Sequence, residues 1–419
     1  MRVVHILRKY NPDEWGGTET ALLRLLDGLR PRGITSIIYA PRTGKTLEKD
    51  PLARAGYAVK QFSACVPVWG IPEEHRRQMV AVGGNLMSFD LIKSLALEPG
   101  LSLVHTHALG RLGGIAHSIA RRRGLPCVVS IHGGVLDLPA ALKLSMDQNA
   151  ARGVEWGKIF GLLFKSRQLL ADADAIITVN PREAALLREK YPNQRVQVQP
   201  HGVPTTDYER ESRPAALAAF PQLKGKKVLL SVGRIDSVKN QSYLVERAPA
   251  LFIKHPEAIF VLAGACTDEA YGKALRRRIQ ELGLEDRILL TGGLPPGDPR
   301  LLGLFQLSTA VLLPSLSETF GLVLLEAWAA GTTVISSRTS GASALLDHRR
   351  NGWLFDLENP RSFHEAVDEA LLDAVLRQST VEAGRKLART QYDTQVLSEG
   401  VKNLYQELIE ERHALRRAA

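Results

Sequence analysis

The chain has 419 residues, which exceeds the usual size of a single hydrophobic core, so we expect two domains of roughly 200 residues each. Its composition, 45% hydrophobic and 23% charged, is typical of a globular protein, and no apolar run reaches the roughly 20 residues of a membrane-spanning helix. The three cysteines, Cys65, Cys127 and Cys266, are far apart and odd in number. This spacing argues against a disulfide framework or a metal cluster and favours a reducing, cytoplasmic location.

The net charge of +10 is unevenly distributed along the chain. Residues 1–200 contain 27 Lys and Arg against 17 Asp and Glu, whereas residues 201–419 contain 27 of each kind. Few aromatic residues are interleaved with the cations, which argues against a stacking surface for single-stranded nucleic acid. The basic first half is compatible with an anionic membrane surface or a phosphate-bearing partner. A solvated surface kept soluble by its charge explains it equally well.

Short buried strands alternate with helix-compatible segments along almost the whole chain. The predicted strands of the first half are Val3–Leu7, Ser36–Tyr39, Leu103–His105, Cys127–Ile131 and Ala175–Val179. The pattern resumes with predicted strands at Lys227–Val232, Ala258–Ala263, Ile288–Leu290, Ala310–Leu313 and Thr333–Ser336. Such alternation is typical of parallel sheets with helical crossovers. The sequence therefore predicts an α/β fold of two wound domains in series.

The first predicted strand leads to two adjacent glycines, Gly16 and Gly17, before Thr18, a candidate N-cap. The Gly-x-Gly-x-x-Gly dinucleotide motif does not occur at this turn. Glycines at a helix N-terminus still let a phosphate or hydroxyl approach the backbone N–H groups. A tight strand-to-helix turn without a ligand explains the pair equally well.

Two cations follow the first strand of the second domain. That strand is predicted to end at Gly233, and Arg234 and Lys239 come after it. Open α/β sheets bind their ligands at the carboxyl ends of strands, where a guanidinium and an ammonium can hold a diphosphate. The alternative is a pair of surface cations neutralised by Asp236.

Two glutamates, Glu318 and Glu326, are separated by seven mostly apolar residues. If a helix starts near Thr319 or Phe320, Glu318 lies at its mouth and Glu326 about two turns further on. A carboxylate among apolar residues is costly to bury unless a partner bonds to it. We infer that this partner is a ligand.

The N-terminus of this predicted helix suggests how the ligand is bound. Gly321 lets another group come close, and the N–H groups of Phe320, Gly321 and Leu322 would face a phosphate. Glu326 would accept hydroxyls of a ribose, and Glu318 would face a sugar beyond the phosphates.

Four motifs occur in order along the chain: Gly16-Gly17, Ser130-Ile131-His132-Gly133, Gly233-Arg234 with Lys239-Asn240, and Glu318 to Glu326 within Ser-Glu-Thr-Phe-Gly-Leu. This combination resembles a GT-B-fold retaining glycosyltransferase of family 4, also called glycosyl transferases group 1. The resemblance implies two Rossmann-like domains facing an interdomain cleft. Residues 1–204 would form the acceptor-side domain and 205–392 the nucleotide-sugar domain, with a C-terminal helix at about 393–419 packing back on the first.

The resemblance also implies roles for the second-domain residues. Arg234 and Lys239 match the pair that holds the donor diphosphate, Glu318 the glutamate on the donor sugar, and Glu326 the one on the ribose. The segment Thr319–Leu322 matches the donor-binding turn.

In the first domain, Gly16 and Gly17 match the loop that meets the donor phosphate and acceptor. His132 matches a histidine near the donor sugar, which adds it to Arg234, Lys239 and Glu318 as a catalytic candidate. A lone histidine is more often structural, but the shared motifs favour function here. His107, at the preceding strand end, is a candidate acceptor-side contact.

The chain departs from the family pattern at two positions. Ala344 stands where members often have an acid, and His201 where an asparagine is common at the domain junction. The first departure puts a sugar-side or structural contact in question, and the second a hinge or base contact.

The resemblance implies a hexosyl-type transferase that moves a sugar, with retention, from a nucleotide-diphosphate sugar to a hydroxyl acceptor. It implies no metal and no other cofactor, and it points to polysaccharide, glycolipid or cell-envelope glycan synthesis. The expected partners are the nucleotide-sugar and a glycan, lipid-linked or small-molecule acceptor, without nucleic acid. Because the first half of the chain is basic, we also expect the protein to associate peripherally with an anionic membrane. Alternatives are a nucleotide-sugar epimerase, a sugar phosphorylase with pyridoxal phosphate, and a non-catalytic sugar-nucleotide-binding protein.

Overall fold

The structure is a computed structural model that describes residues 1–11, 15–42, 50–70, 76, 79, 86–137 and 154–418. The chain divides into two compact units. The first unit contains Met1–Pro200 together with Ser398–Ala419, and the second contains His201–Leu397.

Nine strands are described in the first unit. Seven of them form one parallel sheet in the order β3-β2-β1-β5-β6-β8-β9, and β4 pairs with β7 in a small antiparallel ribbon. Their bounds are β1 (Arg2–Ile6), β2 (Thr35–Pro41), β3 (Ala58–Phe62), β4 (Val68–Trp69), β5 (Leu103–Thr106), β6 (Cys127–Ile131), β7 (Val154–Glu155), β8 (Ala175–Thr178) and β9 (Val196–Val198).

The helices that connect these strands cover both faces of the sheet, as continuous buried strands require. They are α1 (Gly17–Leu29), α2 (Pro51–Arg54), α3 (Phe89–Leu97), α4 (Gly110–Arg123), α5 (Lys158–Leu163), α6 (Leu169–Asp172) and α7 (Pro181–Lys190), with a 3-10 turn at Arg30–Arg32.

The second unit has a six-stranded parallel sheet in the order β12-β11-β10-β13-β14-β15. Its strands are β10 (Lys227–Val232), β11 (Ala258–Ala263), β12 (Ile288–Gly292), β13 (Ser308–Leu313), β14 (Thr333–Ser337) and β15 (Trp353–Phe355). Its helices are α8 (Arg213–Ala219), α9 (Gln241–Lys254), α10 (Glu269–Glu281), α11 (Pro299–Leu307), α12 (Leu322–Ala330), α13 (Ser340–Leu345), α14 (Pro360–Leu372) and α15 (Ala374–Thr390), with 3-10 turns at Thr205–Glu209 and Pro221–Leu223.

A final helix, α16 (Thr394–Ala418), completes the core of the first unit. Its buried residues Val401, Leu404, Tyr405 and Leu408 recur at helical spacing and lie in one cluster with residues of the sheet. This 3.6-residue periodicity gives the helix one apolar face, which is packed against the strands.

Each sheet has a point where the strand order reverses. In the first sheet the chain turns from β1 to β2 and β3, and then returns to place β5 on the other side of β1. In the second sheet β10 and β13 are the corresponding neighbours. The carboxyl ends of strands at such a switch point form the usual ligand site of open α/β sheets.

The predicted α/β fold, with two parallel-sheet domains in series, is confirmed. Among the described residues, no helix combines the length and the apolar character needed to span a membrane.

Candidate functional site

The loop after β10 contains both predicted cations and is organised around the carboxylate of Asp236. Gly233, with φ of 151°, turns the chain out of the strand. The Arg234 guanidinium contacts Asp236, with 3.0 Å between Nε and Oδ2. The backbone N–H of Lys239 donates to Oδ1 of the same carboxylate at 2.9 Å. Asp236 is nearly buried, so it fixes the shape of this loop.

The loop after β13 is tied to the first one by backbone and side-chain hydrogen bonds. Leu316 donates its N–H to the carbonyl of Val238 at 2.8 Å, and the amide of Asn240 donates to the carbonyl of Pro314 at 3.1 Å. These bonds hold the two strand ends together at the topological switch.

The ammonium of Lys239 makes an ion pair with the carboxylate of Glu318, across these two loops. Both side chains keep about a fifth of their surface exposed, at 21% and 22%. The structure therefore brings the predicted Arg234, Lys239 and Glu318 into one cluster. The alternative pairing with Asp236 is found for the Arg234 side chain, whereas the Lys239 side chain selects Glu318.

The helix after Glu318 starts later than expected. It begins at Leu322 and not near Thr319 or Phe320, because Gly321 adopts a left-handed conformation with φ of 100°. A Cβ at Gly321 would lie 2.7 Å from a methyl carbon of Leu324. The segment Thr319–Gly321 is therefore a turn that leads into α12.

A second glycine supports this turn from α13. Gly341 donates its N–H to the carbonyl of Glu318 at 2.8 Å, and a Cβ at Gly341 would lie 2.5 Å from the Phe320 nitrogen. No side chain fits between these two backbone segments. Ala344, on the same short helix, is exposed.

The other predicted residues of this unit lie on either side of the turn. Phe320 is buried and packs edge-on against His201, with 5.1 Å between the ring centroids. The departure at His201 therefore contacts the predicted donor-binding turn directly. Glu326 lies in α12 and is 8% exposed.

The cluster of Arg234, Asp236, Lys239 and Glu318 has two positive and two negative groups. A guanidinium has five N–H donors and an ammonium three, so a diphosphate can bind to donors that the two carboxylates leave over, or replace the carboxylates in part. Since Lys and Arg carry the donors that phosphate oxygens need, this cluster is able to bind an anion.

In the first unit, the two glycines lie at the start of α1. Gly16 is the N-cap and α1 begins at Gly17, so Thr18 lies in the first turn and is not the cap. The carbonyl of Gly16 accepts hydrogen bonds from both the N–H and the hydroxyl of Thr20, each at 3.0 Å. Burial raises the pKa of nearby Glu19, although backbone N–H groups of Glu19 and Gly16 bond to its carboxylate.

The predicted His107 and His132 belong to a larger histidine cluster. His5 in β1 and His105 in β5 are register partners, and His107 and His132 follow the ends of β5 and β6. His107 lies 3.1 Å from His5 and 2.7 Å from His132, nitrogen to nitrogen. His5 is not among the residues predicted from the sequence, although its place in the first predicted strand is a signal that could have indicated it.

Burial favours the neutral form of three histidines of the cluster, His5, His105 and His132. It lowers the pKa of His5 to about 3 and that of His132 to about 4. The pKa of His105 is also well below its usual value, through burial first and then through repulsion from His5 and His132. Neutral imidazoles offer one donor and one acceptor each.

Nitrogen atoms of His5, His105 and His107 lie within 4.8 Å of one another, a separation that could suit a metal ion. The two nitrogens of His105 are already within 2.5 Å of the Tyr405 hydroxyl and 2.7 Å of the Ser130 hydroxyl. Both nitrogens of His107 are also hydrogen-bonded, to His5 and His132. A metal would have to replace these bonds, so the set is better described as a hydrogen-bonded cluster.

Comparison with known proteins identifies the class of enzyme to which the chain belongs. Two family models cover the two units: "Glycosyltransferase Family 4" matches residues 15–207, and "Glycosyl transferases group 1" matches residues 213–387. The fold and both models define a GT-B glycosyltransferase.

Curated relatives over most of the chain agree. D-inositol 3-phosphate glycosyltransferase of Nocardia farcinica is 30% identical over 369 residues, covering 85% of this chain and 77% of that protein. The same enzyme of Corynebacterium jeikeium is 27% identical, with 97% of each chain covered. The chain therefore belongs to the group 1, family 4 glycosyltransferases, and it is a transferase.

Solved structures share the fold over nearly the full length. Anabaena Alr3699/HepE in complex with UDP and glucose has a TM-score of 0.71 at 18% identity, over 97% of this chain and 100% of that one. Sucrose-phosphate synthase from Thermosynechococcus elongatus has a TM-score of 0.72 at 21% identity, over 98% and 99% of the two chains.

Proposed function

We propose that this glycosyltransferase transfers a hexose, with retention of anomeric configuration, from a UDP-sugar to a hydroxyl acceptor. The observation that carries the proposal is the cluster of Arg234, Lys239 and Glu318 at the switch point of β10 and β13. The solved structure of Anabaena Alr3699/HepE with UDP-glucose supports UDP as the nucleotide.

The cations of the cluster supply the positive charge that the leaving diphosphate needs. In the proposed reaction the sugar–phosphate bond breaks while negative charge develops on the diphosphate, and Arg234 and Lys239 stabilise that charge without a metal ion. The leaving phosphate then accepts the proton of the incoming hydroxyl on the same face of the sugar.

The exchange of partners links binding to orientation. When a diphosphate takes the Lys239 ammonium, Glu318 is released from its ion pair and becomes available to hydroxyls of the sugar. Glu326 is assigned to the ribose, and Thr319, Phe320, Gly321 and Leu322 to the phosphate-side turn. In the first unit, the family resemblance supports donor-side contacts for Gly16, Gly17 and His132. It also supports an acceptor-side contact for His107, which would have to give up its bond to His5 or His132 to make one.

The acceptor is proposed to carry negative charge. The curated relatives are named for D-inositol 3-phosphate, a phosphorylated polyol, and the excess of cations in this chain lies in its first half. A phosphorylated polyol or a lipid-linked sugar phosphate, as used in glycolipid, polysaccharide or cell-envelope synthesis, fits both observations.

An exposed apolar surface on α5 supports peripheral binding to an anionic membrane at the cytoplasmic face. Ile159, Leu162 and Leu163 lie on one side of the helix and are 74%, 82% and 62% exposed. The segment from Trp156 to Ala171 contains three cations and no Asp or Glu. Apolar side chains among cations are typical of segments that lie in the interface of anionic bilayers.

The opposite side of α5 holds the helix on the protein. Phe164 is buried in the core of the first unit, and Phe160 packs edge-on against Phe89 at 5.5 Å and against Trp156 at 5.9 Å. The exposed apolar side is therefore attached to the core of the first unit through these contacts.

The proposed function is tested by the change in melting temperature with UDP, UDP-glucose and other nucleotide sugars. A ligand at a hundred times its Kd adds about 2.7 kcal/mol of stability. We expect UDP to stabilise the protein, and Lys239→Ala to lose most of this shift and to lower sugar transfer by about a hundredfold or more.

The matched control is Lys273→Ala, an exposed lysine of α10 in the same unit. It should keep both the UDP shift and the transfer rate. Absence of stabilisation by every nucleotide tested would contradict the proposed function.

A further inference from the structure

Three histidine rings of the first unit form a continuous hydrogen-bonded line at the switch point of β1 and β5. His5 Nδ1 lies 3.1 Å from His107 Nε2, and His107 Nδ1 lies 2.7 Å from His132 Nε2. His5 is completely buried, whereas His132, just after β6, is partly exposed. The line therefore runs from the interior of the sheet to a ring near the surface.

His105 packs against this line but is not hydrogen-bonded to any of its three rings. Its ring packs against that of His107, with 4.2 Å between centroids, and its own nitrogens face the hydroxyls of Tyr405 and Ser130. The inner end of the line is His5 Nε2, which is buried and has no hydrogen-bond partner among the described residues.

The two links constrain the protons of all three rings. A neutral imidazole has one N–H donor and one acceptor nitrogen. If His5 donates through Nδ1, His107 accepts on Nε2 and must donate through Nδ1, so His132 accepts on Nε2 and carries its proton on Nδ1. The opposite direction places every proton on Nε2. All three rings therefore share one tautomer.

We propose that His107, held by His5, is a positioning residue that couples the tautomer of His132 to its own and holds the His132 ring in its orientation. This decides whether the other nitrogen of His132 presents a proton or a lone pair to an oxygen of the sugar donor. The identity of that ligand rests on the proposed function, whereas the shared tautomer follows from the two hydrogen bonds when all three rings are neutral.

The shared tautomer is measured by nitrogen NMR of the resting protein labelled with 15N-histidine at pH 7. His117 is an internal reference, because its Nε2 lies 3.1 Å from the carbonyl oxygen of Asp172 and must donate to it. We expect His5, His107 and His132 to have the same tautomer. A mixed set would overturn the inference.

Two variants of His107 separate positioning from simple loss of a buried polar group. The amide of His107→Asn lies near the place of Nδ1 and can keep the contact to His132, whereas that of His107→Gln lies near the place of Nε2 and keeps the contact to His5. We measure UDP release from UDP-glucose, with water and then D-inositol 3-phosphate as acceptor.

We expect His107→Gln to lower kcat by about tenfold or more, as loss of the required tautomer does in other enzymes, and His107→Asn to lower it several times less than His107→Gln does. The KM for UDP-glucose should change little in either variant. Equal losses in the two variants would overturn the positioning role.

The outcomes also separate this inference from the proposed function. If UDP and UDP-glucose do not bind, the proposed function fails, and the NMR result alone decides whether the histidines share a tautomer. If both bind and are turned over, the Asn and Gln variants decide the positioning role.

Discussion

Glu318 has two partners in the proposed reaction cycle, and they compete. In the resting protein its carboxylate neutralises Lys239, the cation that we assign to the diphosphate. A nucleotide must displace Glu318 before it can use the full charge of Lys239. The residue therefore weakens nucleotide binding while it prepares the contact to the sugar.

Replacing this carboxylate should separate the two effects. We expect Glu318→Gln to bind UDP about two- to fivefold more tightly, because partly exposed ion pairs of this kind contribute up to about 1 kcal/mol. Transfer from UDP-glucose should fall by about tenfold or more, since the sugar loses an anionic partner. Calorimetry with UDP and a coupled UDP-release assay give the two values.

Glu285→Gln, at an exposed position of the same unit, is the control and should leave both values unchanged. Weaker UDP binding by Glu318→Gln would show that the carboxylate does not compete with the diphosphate.

Helix α5 has apolar residues on both of its sides. One side packs on the protein, and the exposed side is proposed to bind the membrane. We expect Leu162→Asp to weaken binding to vesicles that contain anionic phospholipid by about ten- to a hundredfold. A leucine side chain that moves from water into the lipid contributes about 1.5–3 kcal/mol to the binding free energy. Sedimentation with vesicles measures this change.

The matched control is Ile253→Asp on α9, where the side chain is 84% exposed in the second unit. This variant should bind vesicles as the parent does. Equal binding of both variants would show that α5 does not contact the lipid.

The sequence predicted ten of the fifteen described strands, because buried apolar runs such as Val228–Leu230 favour strands of a parallel sheet. It missed β3, β9 and β15, which lie at sheet edges, and the short ribbon of β4 and β7. It misplaced the start of α12, since the chain up to Phe320 is compatible with a helix and only the conformation of Gly321 shows that it is a turn. The packing of Gly341 on this turn depends on residues more than twenty positions apart, which local patterns do not contain.

At the site, the sequence identified the residues but not their pairing. The Lys239–Glu318 ion pair joins positions 79 residues apart, and the link between His5 and His107 joins positions 102 apart. Such contacts are set by the order of the strands. The positions of these residues at strand ends could be predicted, whereas their partners required the structure.

At the scale of the whole molecule, the two units should respond to different conditions. The histidine line lies in the first unit and the cluster of Arg234 and Lys239 in the second. Acid should therefore destabilise the first unit through its buried histidines, and a nucleotide should stabilise the second. The less buried His348 and His364, whose pKa values burial also lowers, add an acid response of the second unit.

The pH effect has a definite sign. The pKa of His5 is about 3 when folded against 6.5 as its ordinary value, so the unfolded chain binds the proton first and stability falls as pH drops below 6.5. The loss is about 1.4 kcal/mol per pH unit for such a histidine until its folded pKa is reached.

Hydrogen exchange with mass spectrometry can monitor the urea unfolding of each unit separately. We expect the urea concentration at the unfolding midpoint of the first unit to fall between pH 7 and pH 5. His5→Leu should reduce the pH dependence of the first unit and leave that of the second unchanged. An unaltered pH dependence in this variant would contradict the assignment.

The division of the first unit between two ends of the chain governs how the protein folds during synthesis. Residues 201–397 are continuous, so the second unit can fold as soon as they leave the ribosome. The first unit lacks Val401, Leu404, Tyr405 and Leu408 until the last helix emerges, and the apolar surface of its sheet stays uncovered meanwhile. The half that is made first is therefore the half that is completed last.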